Sequence, residues 1–566
     1  MTSGDGPGAA AEGHPAPPTG RGPEAEPVAR PARSARAGVV AVALVALANL
    51  ACNLQGITDP PLDVDQFRQT QTAFAARRLL DGGPLLAYEV PIFGPPWSTP
   101  FEFPLYQALC AGFAHLTGVD LILVARLVSL ASFYAALAAG WALVARWAPD
   151  RATVLVFLAL ALSAPHHLYY PRTVMVETLA LALALGFLAA LDRALAGPWP
   201  RSVPWIALAA LAGALAALTK STTHAVTLVP GALLVLARLA GARPPSAPDA
   251  PRAAGRRARI RVALVALAAV VPGLLAGAWW VHASDAVKAG QPLGDIFVST
   301  SPEMRSWVFG TLAQRLDPET WRRLWGLSSF AHLTPALGAA FAGAVVGGAA
   351  LTRSARPLVL AGAAAFLAGP LVFTNLHRVH GYYPMATTIY ACAALAAGLC
   401  AWRRRLGRPA LEGLVPAALV LAGLGAWSAT WRHEQPRWQA EQAWLLDLGA
   451  WVGARLAPDD VLLQLRLGPS PAIPYFANRR AIVFDGPLDD PRLEAALAAI
   501  AREGARVRAA VTPGSDAAEV AALLARFNPP GAAWARGDRA AHVLDVLVFD
   551  AGPAPSGAGD RRGEGR

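Results

Sequence analysis

Charge is what this chain has least of. Only 15% of its 566 residues are Asp, Glu, Lys or Arg, against about 25% in an ordinary soluble domain. Hydrophobic residues make up 55%. Together these figures exclude an ordinary soluble enzyme, and they exclude disorder, which requires low hydrophobicity and high charge. Cysteine is also scarce. Cys52, Cys110, Cys392 and Cys400 show no CxxC spacing, which leaves no zinc or redox signature and makes them small core residues. The sparse charge is unbalanced, with 49 Lys+Arg against 38 Asp+Glu and a net charge of +11. Whether that excess serves nucleic acid or something else depends on where it sits.

What the chain has in abundance is long apolar runs. Spans are expected near 38–57, 121–147, 151–168, 172–195, 203–219, 224–241, 261–283, 332–351, 355–374, 382–401 and 410–429, each near the length that crosses a bilayer. Segments 1–37 and 552–566, rich in Pro, Gly, Ala, Ser and charge, are expected as disordered tails. The first is too polar and too long for a signal peptide. Counted from a cytoplasmic N-terminus, the inner segments carry the arginines, among them Arg36, Arg146, Arg193, Arg257, Arg353 and Arg404. That is the positive-inside pattern. The basic excess is thus an orientation signal, and no nucleic-acid partner is expected.

The odd number of spans places two large loops, 58–120 and 284–331, and the C-terminus outside. Within the first loop, 104–117 has apolar residues at helical spacing but is too short to span, so an interfacial helix is expected there. After the last span, 435–551 alternates short apolar runs with charge. Strands are expected at 461–466, 480–484, 506–511 and 542–549, and helices at 438–456, 490–503 and 516–527. No GxGxxG turn or P-loop occurs there, and the segment reads as a docking or lid domain. The expected fold is an α-helical polytopic membrane protein of about eleven spans with a small C-terminal α/β extracytoplasmic domain.

Polar residues near the membrane gather at the outer ends of the spans, and ionisable groups at that depth point to function. Asp63 and Asp65, with Arg68 close behind, follow the first span. A DxD metal–nucleotide-sugar role is excluded by sidedness, since nucleotide sugars are cytosolic. A general base is the better role, the alternative being a solvated acid or a helix N-cap. Glu102 precedes the interfacial helix and could instead offset its dipole. Arg172 and Glu177 lead into the fourth span, Arg172 as a further candidate to hold a substrate phosphate and Glu177 about one turn inside the span. Glu177 could equally be a structural ion-pair partner of Arg172 or Lys220. Lys220 sits at the outer turn between two spans and suits phosphate, or snorkels. Arg378, His380, Tyr382 and Tyr383 open a late span, where they could hold phosphate or sugar, or form an aromatic belt. Glu102 with His282 or His380 is a candidate divalent-metal pair, although the spacing demands no metal.

These strings resemble the GT-C glycosyltransferases, and most of all the family 39-like bacterial branch that includes the aminoarabinose and protein-mannose transferases. FRQTQTA, PPWSTPFEFPLYQ, HGYYP and the segment 472–480 carry the likeness over about 38–485. It makes 38–434 a GT-C-like transmembrane domain. It implies a sugar donor on polyprenyl phosphate, transfer with inversion to a glycan, lipid or protein hydroxyl at the outer face of the cytoplasmic membrane, and a catalytic acid at Asp63 or Asp65. It implies substrate contacts from Glu102, Glu177 and Lys220. The chain departs from the family pattern at Phe103, where relatives carry Lys, and at Gln71, where many carry Asp. Asp63 is slightly favoured as base, being nearer the span. The rival expectation is a transporter or flippase for a lipid-linked saccharide. Against it stand the absence of an internal repeat and the clustering of charge at one face.

Overall fold

The computed structural model describes residues 30–241, 252–327, 335–406, 411–513, 517–527, 534–537 and 544–549. The C-terminal tail lies outside the described residues, and so does the N-terminal tail up to residue 29. The first helix, α1 (Arg30–Leu54), begins within that expected tail. Two helices follow in the first loop, α2 (Gln66–Leu80) and α3 (Leu105–Thr117), the latter where the interfacial helix was expected. The helical body continues with α4 (Leu121–Trp147), α5 (Arg151–Ser163), α6 (Pro165–Tyr169), α7 (Glu177–Ala196), α8 (Trp199–Thr219), α9 (Ser221–Gly241) and α10 (Arg252–Ala289). Three short helices fill the second loop: α11 (Pro302–Phe309), α12 (Leu312–Leu316) and α13 (Pro318–Gly326). The body closes with α14 (Pro335–Leu351), α15 (Arg356–Val372), α16 (Thr374–Val379), α17 (Pro384–Leu406) and α18 (Leu411–Ala429).

Each of the eleven expected spans coincides with a helix or a helix pair. Among the described residues, eight helices are long and apolar enough to cross a membrane, and a ninth crossing is the α5–α6 pair, bent by 62°. α14 and α15 are apolar but only 17 residues long. The bend in the third span lies at Pro165, which has no N–H to continue the ladder. The carbonyl left without its donor, Ala161 O, lies 2.7 Å from His167 Nδ1, and Asn49 Nδ2 of α1 braces the break by donating to Leu162 O at 2.7 Å and to His167 O at 3.0 Å. Apolar surroundings require such replacement bonds. Asp120 and Asp150 cap α4 and α5 by accepting from backbone N–H groups one turn on.

Two expectations need correction. The fourth span starts at Glu177 itself, because 170–172 form a single 3-10 turn around Pro171. The helix expected at 438–456 is not separate. It is α19 (Gln435–Gly453), joined to α18 through a π turn at 430–434 into one helix running Leu414–Gly453. The π turn widens the ladder just where Pro436 lacks a donor.

Beyond α19 lies a five-stranded mixed sheet in the order β2-β1-β3-β5-β4. Its strands are β1 (Val461–Leu465), β2 (Arg480–Phe484), β3 (Val507–Pro513), β4 (Trp534–Gly537) and β5 (Leu544–Phe549). β1 pairs in parallel with β2 and β3, and β5 runs antiparallel to β3 and β4. Helices α20 (Ala472–Ala477), α21 (Pro491–Arg502) and α22 (Ala517–Ala525) accompany it. The outer edge of β2 is not bare. Ala481 N and Val483 N donate to Pro91 O and Ile92 O at 2.8 and 2.7 Å, so the first loop adds a β-bridge to that edge. Tyr88, Ile92 and Trp97 of that loop share one buried cluster with Leu463 and Ile482 of the sheet. The loop and the domain therefore fold as one layer over the helical body.

Candidate active site

The acid motif lies where that layer meets the helices. Asp63 is 2% exposed. One of its oxygens accepts from Arg172 Nη2 at 3.1 Å, and it also accepts from Gln69 Nε2 and from Gln435 Nε2. Arg172, fully buried, lies between the rings of Tyr169 and Trp431, with its Cζ 4.6 and 4.8 Å from their centroids. Gln69 Oε1 in turn accepts from Val174 N. Asp63 is thus a fixed, fully compensated carboxylate joining the first loop to the α6–α7 turn.

Asp65 is different. It holds the N-cap position of α2 in left-handed backbone, φ 58°, and makes no side-chain cap bond. That conformation costs an ordinary residue about 1 kcal/mol and is tolerated best by Asn and Asp. It aims the carboxylate away from α2, where it accepts from Tyr170 Oη at 3.0 Å. Burial raises its pKa from 3.8 to about 6. The Tyr170 hydrogen bond pulls against this, and the charges of Glu177 and Asp63 add to it.

Around Asp65 stand two ion pairs. Arg68 Nη2 meets Glu102 Oε1 at 2.7 Å, and Arg68 Nη1 donates to Gln71 Oε1 at 2.7 Å. Burial alone would lower the Arg68 pKa, but Glu102 outweighs it and holds Arg68 firmly charged. Burial likewise works to raise Glu102, and Arg68 holds it below its ordinary value. The second pair is Lys220 with Glu177. Lys220 interrupts α8 and α9 as a single extended residue, and its Nζ lies 4.9 and 4.3 Å from the ring centroids of Tyr382 and Tyr383. These rings stack at 4.9 Å, and His380 stacks on Tyr382 at 5.2 Å. Burial lowers the His380 pKa to about 4, with Lys220 and Arg68 acting in the same direction, so it is neutral at ordinary pH. Phe103 N donates to Leu218 O at 3.1 Å, which ties the Glu102 segment to the Lys220 turn. One oxygen of Glu177 has no hydrogen-bond partner among the described residues.

Similar architecture is found in solved structures. The chain superposes on ArnT from Cupriavidus metallidurans bound to undecaprenyl phosphate with a TM-score of 0.58 and 14% identity, over 90% of this chain and 99% of that one. The fold is that of the GT-C glycosyltransferases. The archaeal oligosaccharyltransferase AglB from Archaeoglobus fulgidus, in complex with an inhibitory peptide and a dolichol-phosphate, matches with a TM-score of 0.51 and 10% identity, over 92% of this chain and 75% of that one. The arabinofuranosyltransferase AftD from Mycobacteria gives 0.51 and 15%, over 90% of this chain and 39% of that one. No protein-family model matches the sequence, and no curated protein does.

Within this GT-C fold, residues far apart in sequence come together. Asp65, Arg68, Glu102, Glu177, Lys220, His380, Tyr382 and Tyr383 gather into one polar cluster, termed the chamber, through their ion pairs, ring contacts and shared charges, while Asp63 and Arg172 form the adjoining sealed pair. Glu177 takes Lys220 rather than Arg172 as its partner. Arg378, in α16, makes no ion pair among the described residues and takes no part in these pairs. His282 is exposed on α10, Glu102 is engaged by Arg68, and no group of three metal-ligating side chains gathers among the described residues. Sequence reading missed Arg126. It is fully buried in α4 and donates to Gly56 O behind Asp63, and an arginine within a 27-residue apolar helix was the available signal. It also missed Gln69 and Gln435, which no motif marks.

Proposed function

We propose that this protein is an inverting glycosyltransferase that moves a sugar from a polyprenyl-phosphate donor to an acceptor hydroxyl at the outer face of the cytoplasmic membrane. The observation that carries the reading is the chamber itself. One acid poised near neutrality faces a lysine and an arginine, both held by carboxylates, under a wall of tyrosines. The GT-C fold supports it, as does the basic character of the opposite end of the bundle, which by the positive-inside rule faces the cytoplasm. The domain built on α19 and the sheet then lies outside, over the chamber.

Asp65, rather than Asp63, is the general base in this reading. Asp63 spends both oxygens on Arg172, Gln69 and Gln435, and protonating it would strand a buried guanidinium. Asp65 has one weak partner and an affinity for protons that suits a base working near neutral pH. It takes the acceptor proton, and the acceptor oxygen bonds to C1 of the sugar. The C1–O bond to phosphate breaks on the opposite face, and polyprenyl phosphate leaves. Lys220 and Arg68 meet the charge that develops on the phosphate. The free oxygen of Glu177 and the Tyr382–Tyr383 wall hold the sugar.

The test is transfer by the full-length protein in detergent, from a synthetic polyprenyl-phosphate sugar to hydroxyl acceptors, compared with Asp65→Asn and Asp63→Asn. Transfer that survives in Asp65→Asn would remove the base assignment. Lipid movement in vesicles without any transfer would replace the enzyme with a flippase.

A further inference from the structure

The other end of the helical body carries a second charged group that the proposed chemistry does not use. Asp192 of α7 is fully buried, and each of its oxygens takes one arginine: Oδ2 takes Arg146 of α4, and Oδ1 takes Arg238 Nη2 of α9 at 3.2 Å. About 22 Å of helix separates this carboxylate from Glu177 at the start of α7. The carboxylate is sealed at 0% exposure, whereas the two guanidinium side chains are 40% and 39% exposed. Neither makes another hydrogen bond among the described residues. Each guanidinium has five N–H donors, so most of their donors face outward.

Beside this triad opens a cavity of about 230 Å3 between α4, α5, α7, α9, α15 and α17. Its walls are apolar and include Leu143, Leu188, Leu234 and Leu360. The one phenol lining it, Tyr390, is bonded to Thr227. The helical period links cavity to triad. Leu188 and Asp192 are one turn apart on α7, as are Leu234 and Arg238 on α9, and Leu143 and Arg146 on α4. Pro357 also lines the cavity, which brings the start of α15 and the exposed Arg356 to the same mouth. Three guanidiniums and a helix N-terminus therefore lie within one helical turn of residues that line the apolar slot, although none of the three lines it itself, and Arg356 Nε already donates to Ala349 O at 2.8 Å.

We infer that this slot is a binding site for an anionic phospholipid, its acyl chain in the cavity and its phosphate on Arg146 and Arg238. The arrangement fits the chemistry on both counts. The apolar walls take a hydrocarbon chain, and the forked donors of arginine take phosphate oxygens in pairs. The excess of positive charge at the mouth selects an anionic headgroup over a zwitterionic one. The site is separate from the chamber and does not depend on the activity proposed for it.

The experiment is native mass spectrometry of the full-length protein after incubation with phosphatidylglycerol or phosphatidylcholine. Wild type is expected to retain phosphatidylglycerol several-fold over phosphatidylcholine. The neutral triad Arg146→Gln/Asp192→Asn/Arg238→Gln leaves no charge unpaired and should reduce retention to the phosphatidylcholine level. Leu360→Trp, which fills the slot from its exposed side, should do the same. Asp192→Asn alone should raise retention, because it frees both arginines, and a merely structural triad would not produce that sign. Arg257→Gln, an exposed charge on α10, should leave retention unchanged. Retention unaltered in the neutral triad, a fall in Asp192→Asn, or an equal loss in Arg257→Gln would each overturn the proposal. So would displacement of the lipid by inorganic phosphate alone, since the slot would then contribute nothing.

Discussion

Asp63 and Asp65 stand two residues apart and live in two different regions. One is closed. Asp63 sits among Arg172, Gln69 and Gln435 beneath Tyr169 and Trp431, and every lone pair it directs inward has a donor. The other is open. Asp65 has a single phenol and a chamber full of charge held elsewhere. The difference comes from one backbone turn: left-handed φ at Asp65 rotates its side chain out of the helix cap and into the chamber. The same residue type at two nearby sites is thus fastened in one and left accessible in the other, and the surroundings decide which.

That contrast can be broken in several ways. The largest effect is expected from Asp65→Asn, a loss of about 10²–10⁴-fold in kcat/KM with no loss of thermal stability. Asp63→Asn should do the reverse. It leaves Arg172 a buried cation without its counter-charge and should cost about 3–5 kcal/mol in denaturant unfolding. If the two variants exchanged these phenotypes, the closed acid would be the base. Lys220→Met with Glu177→Gln removes the second pair without stranding a charge, and should raise KM for the donor by about 10–100-fold, the worth of a charged hydrogen bond.

Smaller effects follow from proton affinity. A base must be ionised, so kcat/KM should fall as pH drops through about 6, the value to which burial raises Asp65. Tyr170→Phe deletes the bond that favours the anion, and should move this limb to higher pH. By linkage, folding stability contributed at Asp65 declines as pH rises from 3.8 towards 6, because the folded state holds the proton more tightly there. The smallest change should come from Arg480→Ala. Arg480 meets Glu89 across the seam between sheet and loop at 3.2 Å, with both side chains partly exposed. Its loss should cost no more than about 1 kcal/mol in thermal unfolding.

Much of this was readable from the sequence. Apolar runs marked all eleven helical segments, since a bilayer-length run leaves a strong signal. The strands 461–466 and 480–484 announced themselves by short apolar runs between turns. The broken third span did not, because the apolar run 151–164 leads straight into Pro165 and a hydropathy window averages across the break. Nor did the continuity of α18 into α19, since a π turn has no composition of its own. The chamber's members were named from their place at span ends, but their pairing was hidden. The string left Glu177 open between Arg172 and Lys220 and did not show that Arg172 meets Asp63, because partner choice is set by helix rotation rather than by spacing. Arg126 was hidden by averaging: one arginine in a long apolar run barely lowers its hydropathy.

The β-bridge that residues 91–93 make to β2 has a consequence for biosynthesis. A chain is made from its N-terminus and its segments fold as they emerge. The acid-bearing loop is made early, yet its partners Ala481, Val483 and Arg480 come about 390 residues later. Until they arrive, the loop has no edge to pair with and shares no core with the sheet. The helices can be inserted, but the reactive loop stays unset until nearly the whole protein has been translated. A truncated product that ends before β2 is therefore a helical bundle with its acids in place in sequence and without the partners that set their loop.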